Sequence, residues 1–203
     1  MSGRKQFDVG AALDQAMRVF WQRGYAEASL DALGSATGLG RGSLYGTFGT
    51  KDALFRQCLD RYVSIYGAQY EQALTAHSGD PVRAVEAYFD LILSRIADPS
   101  VPVGCLIAQS AAQSPTLKEE NSTQVRGLLD LQRQRVRAAL ADSSADARTL
   151  DELATFVVAV NQSLAVLSRA GASDAELRSV ARLACTTVAD TLARAAPEDV
   201  TQG

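Results

Sequence analysis

Ser29-Leu-Asp-Ala-Leu-Gly-Ser-Ala-Thr-Gly-Leu-Gly-Arg-Gly-Ser-Leu-Tyr-Gly-Thr-Phe48 is the stretch on which the fold turns. Serine is a residue type that caps helix N-termini, so a short helix is expected from Ser29 to Thr37-Gly38. Gly38 supplies a left-handed corner that most side chains avoid, and the chain re-enters a helix around Arg41 to Thr47. Leu30, Leu33, Leu39, Leu44 and Phe48 are spaced to meet as a small core, with small Gly34 where the two helices come closest. Arg41, Gly42, Ser43, Tyr45, Gly46 and Thr47 are then left facing outward. Two readings fit this layout. One is a helix-turn-helix whose exposed helix meets phosphates and base edges; the other is a surface helical hairpin whose hydroxyls only cap. Local charge supports the first: residues 1–56 carry seven Lys/Arg against five Asp/Glu, while the remainder carries thirteen against eighteen.

Working outward, helical periodicity continues to both ends, and no alternating β-branched run interrupts it, so the fold class is all-α with about nine helices. Asp8 is the expected N-cap of a first helix to Arg23, ended by Gly24. Thr50 is expected to cap a long fourth helix, and Asp80-Pro81 to open a fifth that runs to Ala97. A short sixth helix is expected from Gly104 to Gln113, and a seventh from Ser114-Pro115 to Leu140. The last two span Thr149–Arg169 and Ser173–Ala195. The eighth shows two apolar stripes, one through Leu150, Leu153, Val157 and Leu164, the other through Phe156, Ser163 and Val166. The ninth has Leu177, Val180, Ala184 and Val188 on one stripe, with Leu183 and Thr187 beside it. Apolar residues on two sides of the last helices fit a thick intramolecular core or a four-helix dimer interface through Phe156, Val166, Leu177, Val180, Ala184 and Val188.

A composition 47% apolar and 21% charged excludes a disordered tail or a collagen-like fibre. No apolar run approaches the roughly 18 residues that span a bilayer, and Met1 to Gln6 is polar with no apolar segment behind it, so a cytoplasmic chain without a membrane segment is expected. Cys58, Cys105 and Cys185 are too few and too scattered for a disulfide framework, and with His77 as the single histidine no zinc site or other metal or cofactor site is expected. An enzyme would need a nucleophile beside a base or a metal cluster, and the sequence offers neither beyond isolated Cys105 and His77. The net charge of −3 argues against a protein that coats nucleic acid indiscriminately.

Phe20 with Gly24-Tyr25, then Ser29-Leu30, then Gly42-Ser-Leu-Tyr-Gly-Thr-Phe-Gly-Thr-Lys-Asp-Ala-Leu-Phe55, resemble the N-terminal DNA-binding domain of the TetR/AcrR family of transcriptional regulators. The resemblance covers residues 6–66, with the helix-turn-helix over 29–48, and implies that 67–196 form a helical ligand-binding and dimerisation body. It further implies a fourth helix acting as a connecting rod, a homodimer through the last two helices, a palindromic double-stranded DNA operator and a small-molecule effector, in the manner of a repressor. Carried onto this chain, Ser29, Tyr45 and Lys51 become phosphate ligands, and Arg41, Gly42, Ser43 and Thr47 line the groove-facing side of the third helix. Gly46 stands where many relatives have a larger side chain, which shifts specificity toward Arg41, Ser43 and DNA shape. Tyr62, Tyr66, Phe89, Leu93, Gln109 and Asn161 are the candidate pocket lining. Asn161, beside Val157, Val160 and Leu164, is equally readable as an interhelical amide or a dimer-register residue.

Pro102-Val-Gly-Cys-Leu-Ile107 resembles a branch of the same family that includes sensors of electrophiles, oxidants or copper. Cys105, expected in a first helical turn, is therefore either a reactive sensor or ordinary packing. A helical interaction module that keeps the fold but has lost operator binding is the remaining alternative.

Overall fold

Short polar side chains start the helices. Asp8 Oδ1 accepts from the amides of Gly10 and Ala11 at 2.8 and 3.1 Å, opening α1 (Val9–Glu27). Ser29 Oγ accepts from Ala32 N at 3.1 Å at the head of α2 (Leu30–Thr37). Gly40 precedes α3 (Arg41–Phe48), and Thr50 Oγ1 caps α4 (Lys51–Tyr62) through Ala53 N at 3.2 Å. A π-helical turn, Val63–Gly67, follows, then α5 (Ala68–Thr75) and α6 (Pro81–Ala97), the latter capped by Asp80 with proline at its first position. α7 (Leu106–Ala112), a 3₁₀ turn (Ser114–Thr116), α8 (Glu119–Leu140), α9 (Ala147–Arg169) and α10 (Asp174–Ala195) follow. Ser173 and Glu176 form a reciprocal capping box before α10: Glu176 Oε2 accepts from Ser173 N at 2.7 Å, and Ser173 Oγ from Glu176 N at 3.3 Å.

The structure, a computed structural model, describes residues 7–195, and among these there is no β-strand. Several expected boundaries are corrected. Gly24 (φ 77, ψ 173) breaks the regular geometry of α1, but one further turn follows it. The expected fourth helix is α4, the π turn and α5 in succession, because the backbone bonding widens between Tyr62 and Gly67. Counting that run once gives nine helices among the described residues, as expected. The expected seventh helix starts later, at Glu119, since Pro115 sits in the 3₁₀ turn. Cys105 is the N-cap of α7 and lies before its first turn.

Two units make up the chain: one runs up to Gly67 and includes Cys105–Gly127, the other comprises Ala68–Gly104 and the chain from Leu128 on. The segment 105–127, expected in the body, therefore packs in the first unit, where Leu106 and Ile107 bury their side chains and α7 lies against α1 and α4. The first unit's centre is aromatic. Phe20, Tyr25 and Phe55 interlock at ring distances of 5.0 to 6.2 Å, and Trp21 meets Tyr62 and Tyr66 edge-on at 5.0 and 5.4 Å.

In the second unit α10 packs on α6 and α9. Leu177, Ala184 and Val188, expected at a dimer interface, are buried within the unit at 3%, 2% and 0% exposure, so they are core residues of this chain. Other faces of these helices carry the exposed apolar groups: Val166 and Leu167 on α9 and Leu183 on α10, with Phe156 and Val180 half-buried. α9 is long and apolar enough to cross a membrane by length and composition, contrary to the expectation from run length. Its Leu150, Leu153, Val157 and Leu164 are buried in the unit's core, which accounts for that composition.

Candidate nucleic-acid interface

Leu33, Leu44 and Phe48 are each at most 3% exposed, and with them inside, α3 turns its remaining side chains outward. Gly38 takes the left-handed corner (φ 70, ψ 15), its amide returning to Gly34 O. The smallness of Gly34 serves the turn: a Cβ there would stand 2.9 Å from the Leu39 carbonyl oxygen. At Gly42 and Gly46 an added Cβ would meet nothing within 4 Å, so the outer face of α3 is open along its length. Arg41, Gly42, Ser43, Tyr45, Gly46 and Thr47 are all exposed, Tyr45 by 44%. Arg41 reaches Asp31 at 3.6 Å across the surface, an exposed pair that leaves the guanidinium accessible.

Ser29 is exposed at the start of α2, and although its oxygen caps the helix, its hydroxyl proton is still available to donate. Lys51 opens α4. Its ammonium lies 4.5 Å from the centre of the Tyr25 ring and donates to Ala26 O at 3.4 Å. Partial burial lowers its pKa against the opposing pull of Asp52 and Glu27.

Next to Lys51 and Tyr25 lies a polar cluster that local sequence patterns did not reveal. Asp52 is 8% exposed and accepts three hydrogen bonds: from Tyr25 Oη at 2.6 Å, Lys118 Nζ at 2.6 Å and Asn121 Nδ2 at 2.8 Å. Burial alone would raise its pKa, but these bonds, with the charge of Lys118, outweigh it and hold the carboxyl below its ordinary range. Burial, the bond to Asp52 and its negative charge push the Tyr25 phenol upward. Asp52 in a first helical turn reads as a routine dipole partner, and no periodicity links it to residues 66 and 69 positions away.

The candidate pocket residues fall in both units. Tyr62 is 1% exposed, and its hydroxyl donates to Cys105 Sγ at 3.3 Å in the first unit; the Tyr66 ring meets the Tyr62 ring at a tilt, 4.9 Å between centres. Gln109 is half-buried on α7. In the second unit Asn161 is 2% exposed and donates to Tyr88 Oη at 2.9 Å, so its amide is satisfied between helices. Phe89 and Leu93 line a cleft of about 420 Å³ between α6 and α10, together with Glu86, Asp90, Arg178 and Cys185. Burial, then the charges of Glu86 and Asp90, push the Cys185 thiol up to about 11, and burial raises the Cys58 thiol as well; both stay protonated. Among the described residues no group of three or more His, Cys, Asp or Glu side chains could hold a metal ion.

Comparison with known proteins places this geometry. The family model described as "Bacterial regulatory proteins, tetR family" matches residues 12–58, the span from α1 into α4. The chain is 34% identical over 185 residues to the HTH-type transcriptional repressor ComR of Escherichia coli, covering 87% of each chain. It is similar over 91% of its length, at 31% identity and a TM-score of 0.78, to a cysteine-substituted form of the TetR family transcriptional regulator CifR complexed with 26bp double-strand operator DNA, of which it covers 98%. A TetR transcriptional regulator from Chloroflexus aurantiacus shares the fold at a TM-score of 0.77 and 23% identity, with 88% of this chain and 92% of that one covered. With a repressor one-third identical across nearly the whole chain and the family's helix-turn-helix built as described, this protein belongs to the tetR family of bacterial regulatory proteins.

Proposed function

We propose that this chain is a homodimeric transcriptional repressor, which holds a palindromic operator through the outer faces of α2 and α3 and leaves it when a small molecule binds the body. One observation carries the reading: Arg41, Ser43, Tyr45 and Thr47 lie exposed on a short helix fixed from behind by buried Leu33, Leu44 and Phe48, with Lys51 next in the chain. Arg41 and Ser43 are the base-reading candidates, Ser29, Tyr45 and Lys51 the phosphate ligands, and Gly42 and Gly46 the places where backbone approaches the groove. The two-fold partner covers Val166, Leu167 and Leu183, which a lone chain would leave to water. We read the effector as a non-covalent ligand. Cys105 is 3% exposed and precedes a seven-residue helix, which favours packing over reactive sensing.

The test is a substitution series on a duplex recovered by selection from a random-sequence pool. Lys51→Ala is expected to weaken all operator variants about equally and to make the slope of log affinity against log salt shallower by about one. Arg41→Ala is expected to relax base preference at a cost of about 1–3 kcal/mol. Anisotropy titrations at several salt concentrations read both. Wild-type affinity, slope and preference in the two variants would remove the interface assigned to α3 and α4.

A further inference from the structure

The cluster around Asp52 draws on residues far away in the chain, and its bonds are directional. Gln113 Oε1 accepts from the Tyr25 amide at 2.7 Å across 88 positions. Gly24 makes this possible, since a Cβ at that position would lie 2.3 Å from Gln113 Nε2. Asn121 is fully buried and serves two residues of α4: Nδ2 donates to Asp52, and Oδ1 accepts from Arg56 Nη1 at 3.0 Å. Lys118 Nζ donates to the other oxygen of Asp52. Gln124 Nε2 extends the clasp along α4, donating to Arg56 O at 3.3 Å and Asp60 Oδ1 at 2.7 Å. Gln113 and Lys118, between α7 and α8, and Asn121 and Gln124, on α8, thus grip the end of α1 and the first turns of α4, the two elements that carry Tyr25 and Lys51.

Geometry gives this grip a consequence beyond stability. The Tyr25 ring is the platform for the Lys51 ammonium, and its orientation is fixed at both ends, by Asp52 at the hydroxyl and Gln113 at the amide. Asp52 is the next residue after Lys51, so a carboxylate held by three donors also sets where that backbone lies. A charged pair at the surface could be dispensable, but a buried carboxylate that loses a donor must find another and will shift to do so.

We propose that Gln113, Lys118 and Asn121 are positioning residues for DNA binding, which touch no DNA themselves and place Lys51 and the α3–α4 junction through Tyr25 and Asp52. This rests on the operator-binding reading above. Lys118 offers the cleanest test because its side chain is 73% exposed and its removal leaves no cavity in the core. On the selected duplex, Lys118→Met is expected to weaken binding about fivefold to tenfold with the salt slope unchanged, because no phosphate contact is lost. Lys118→Arg should return affinity to within about twofold of wild type, since an arginine still donates to the carboxylate. Asp52→Asn should weaken binding at least as much, and the double variant Asp52→Asn, Lys118→Met should be no weaker than Asp52→Asn alone. Thermal melts of each variant separate loss of folded protein from loss of affinity.

Wild-type affinity in Lys118→Met overturns the proposal. So does a slope shallower by about one, which would make Lys118 a phosphate ligand, and so do additive losses in the double variant. If wild type itself recovers no duplex from the pool, the operator reading falls and this inference with it. If wild type binds and Lys118→Met binds equally well, only the inference falls.

Discussion

Glutamate at Val166 and Leu183 together is expected to turn the proposed dimer into a monomer and to weaken operator binding by about 10²–10⁴-fold. Val166 is 59% exposed and Leu183 58%, on the neighbouring helices α9 and α10, the faces proposed to meet the two-fold partner. A monomer presents one α3, and the second half-site then binds without the effective concentration that linkage supplies. Because both side chains already face solvent in the single chain, the substitution inserts charge without opening the core. The fold should survive, and the circular dichroism of the variant should match wild type. Sedimentation velocity with anisotropy on the same sample reads the result; a variant that stays dimeric at micromolar concentration and keeps its affinity would place the interface elsewhere.

Phe55→Ala is expected to destabilise the first unit by about 3–5 kcal/mol. Phe55 has no exposed surface and meets the rings of Phe20 at 5.1 Å and Tyr25 at 5.0 Å. Alanine removes both contacts and leaves a void at the crossing of α1 and α4. Against a net stability of about 5–15 kcal/mol for an ordinary domain, such a loss brings the unit near its unfolding midpoint. Trp21 is the chain's single tryptophan and is buried in this unit 5.0 Å from Tyr62, so its fluorescence in urea reports this unit directly. An unchanged fluorescence midpoint would show that the aromatic cluster contributes little.

What could be read from the sequence was what short-range chemistry writes. Asp8, Ser29, Thr50 and Asp80 were legible as caps because each must satisfy amides within three residues of itself, and the structure has each doing so. The glycine corner and the buried Leu33, Leu44 and Phe48 were legible for the same reason, whereas Leu30 and Leu39, expected in the same core, are only half-buried; the outward face of α3 followed by subtraction. The stripe of Leu177, Ala184 and Val188 was visible as a stripe, but helical period is the same whether a face covers its own core or a partner's. The exposed face proved to be the one beside it, through Leu183. The π turn had no signal, since Tyr62 to Gly67 contains no proline and its bonding depends on packing. The clasp of Gln113, Lys118 and Asn121 was the least legible part, because partners 66 to 88 positions apart leave no local pattern.

The central claim is that this chain reads a two-fold DNA site through α3. Hydroxyl-radical footprinting of wild-type protein on the DNA flanking its own gene tests it most directly. Two protected half-sites are expected, related by an approximate dyad and centred about 34–36 Å or a multiple of that apart, one for each α3 of the dimer. Protection spread evenly along the fragment, or none at concentrations where a random duplex is already bound, would contradict it.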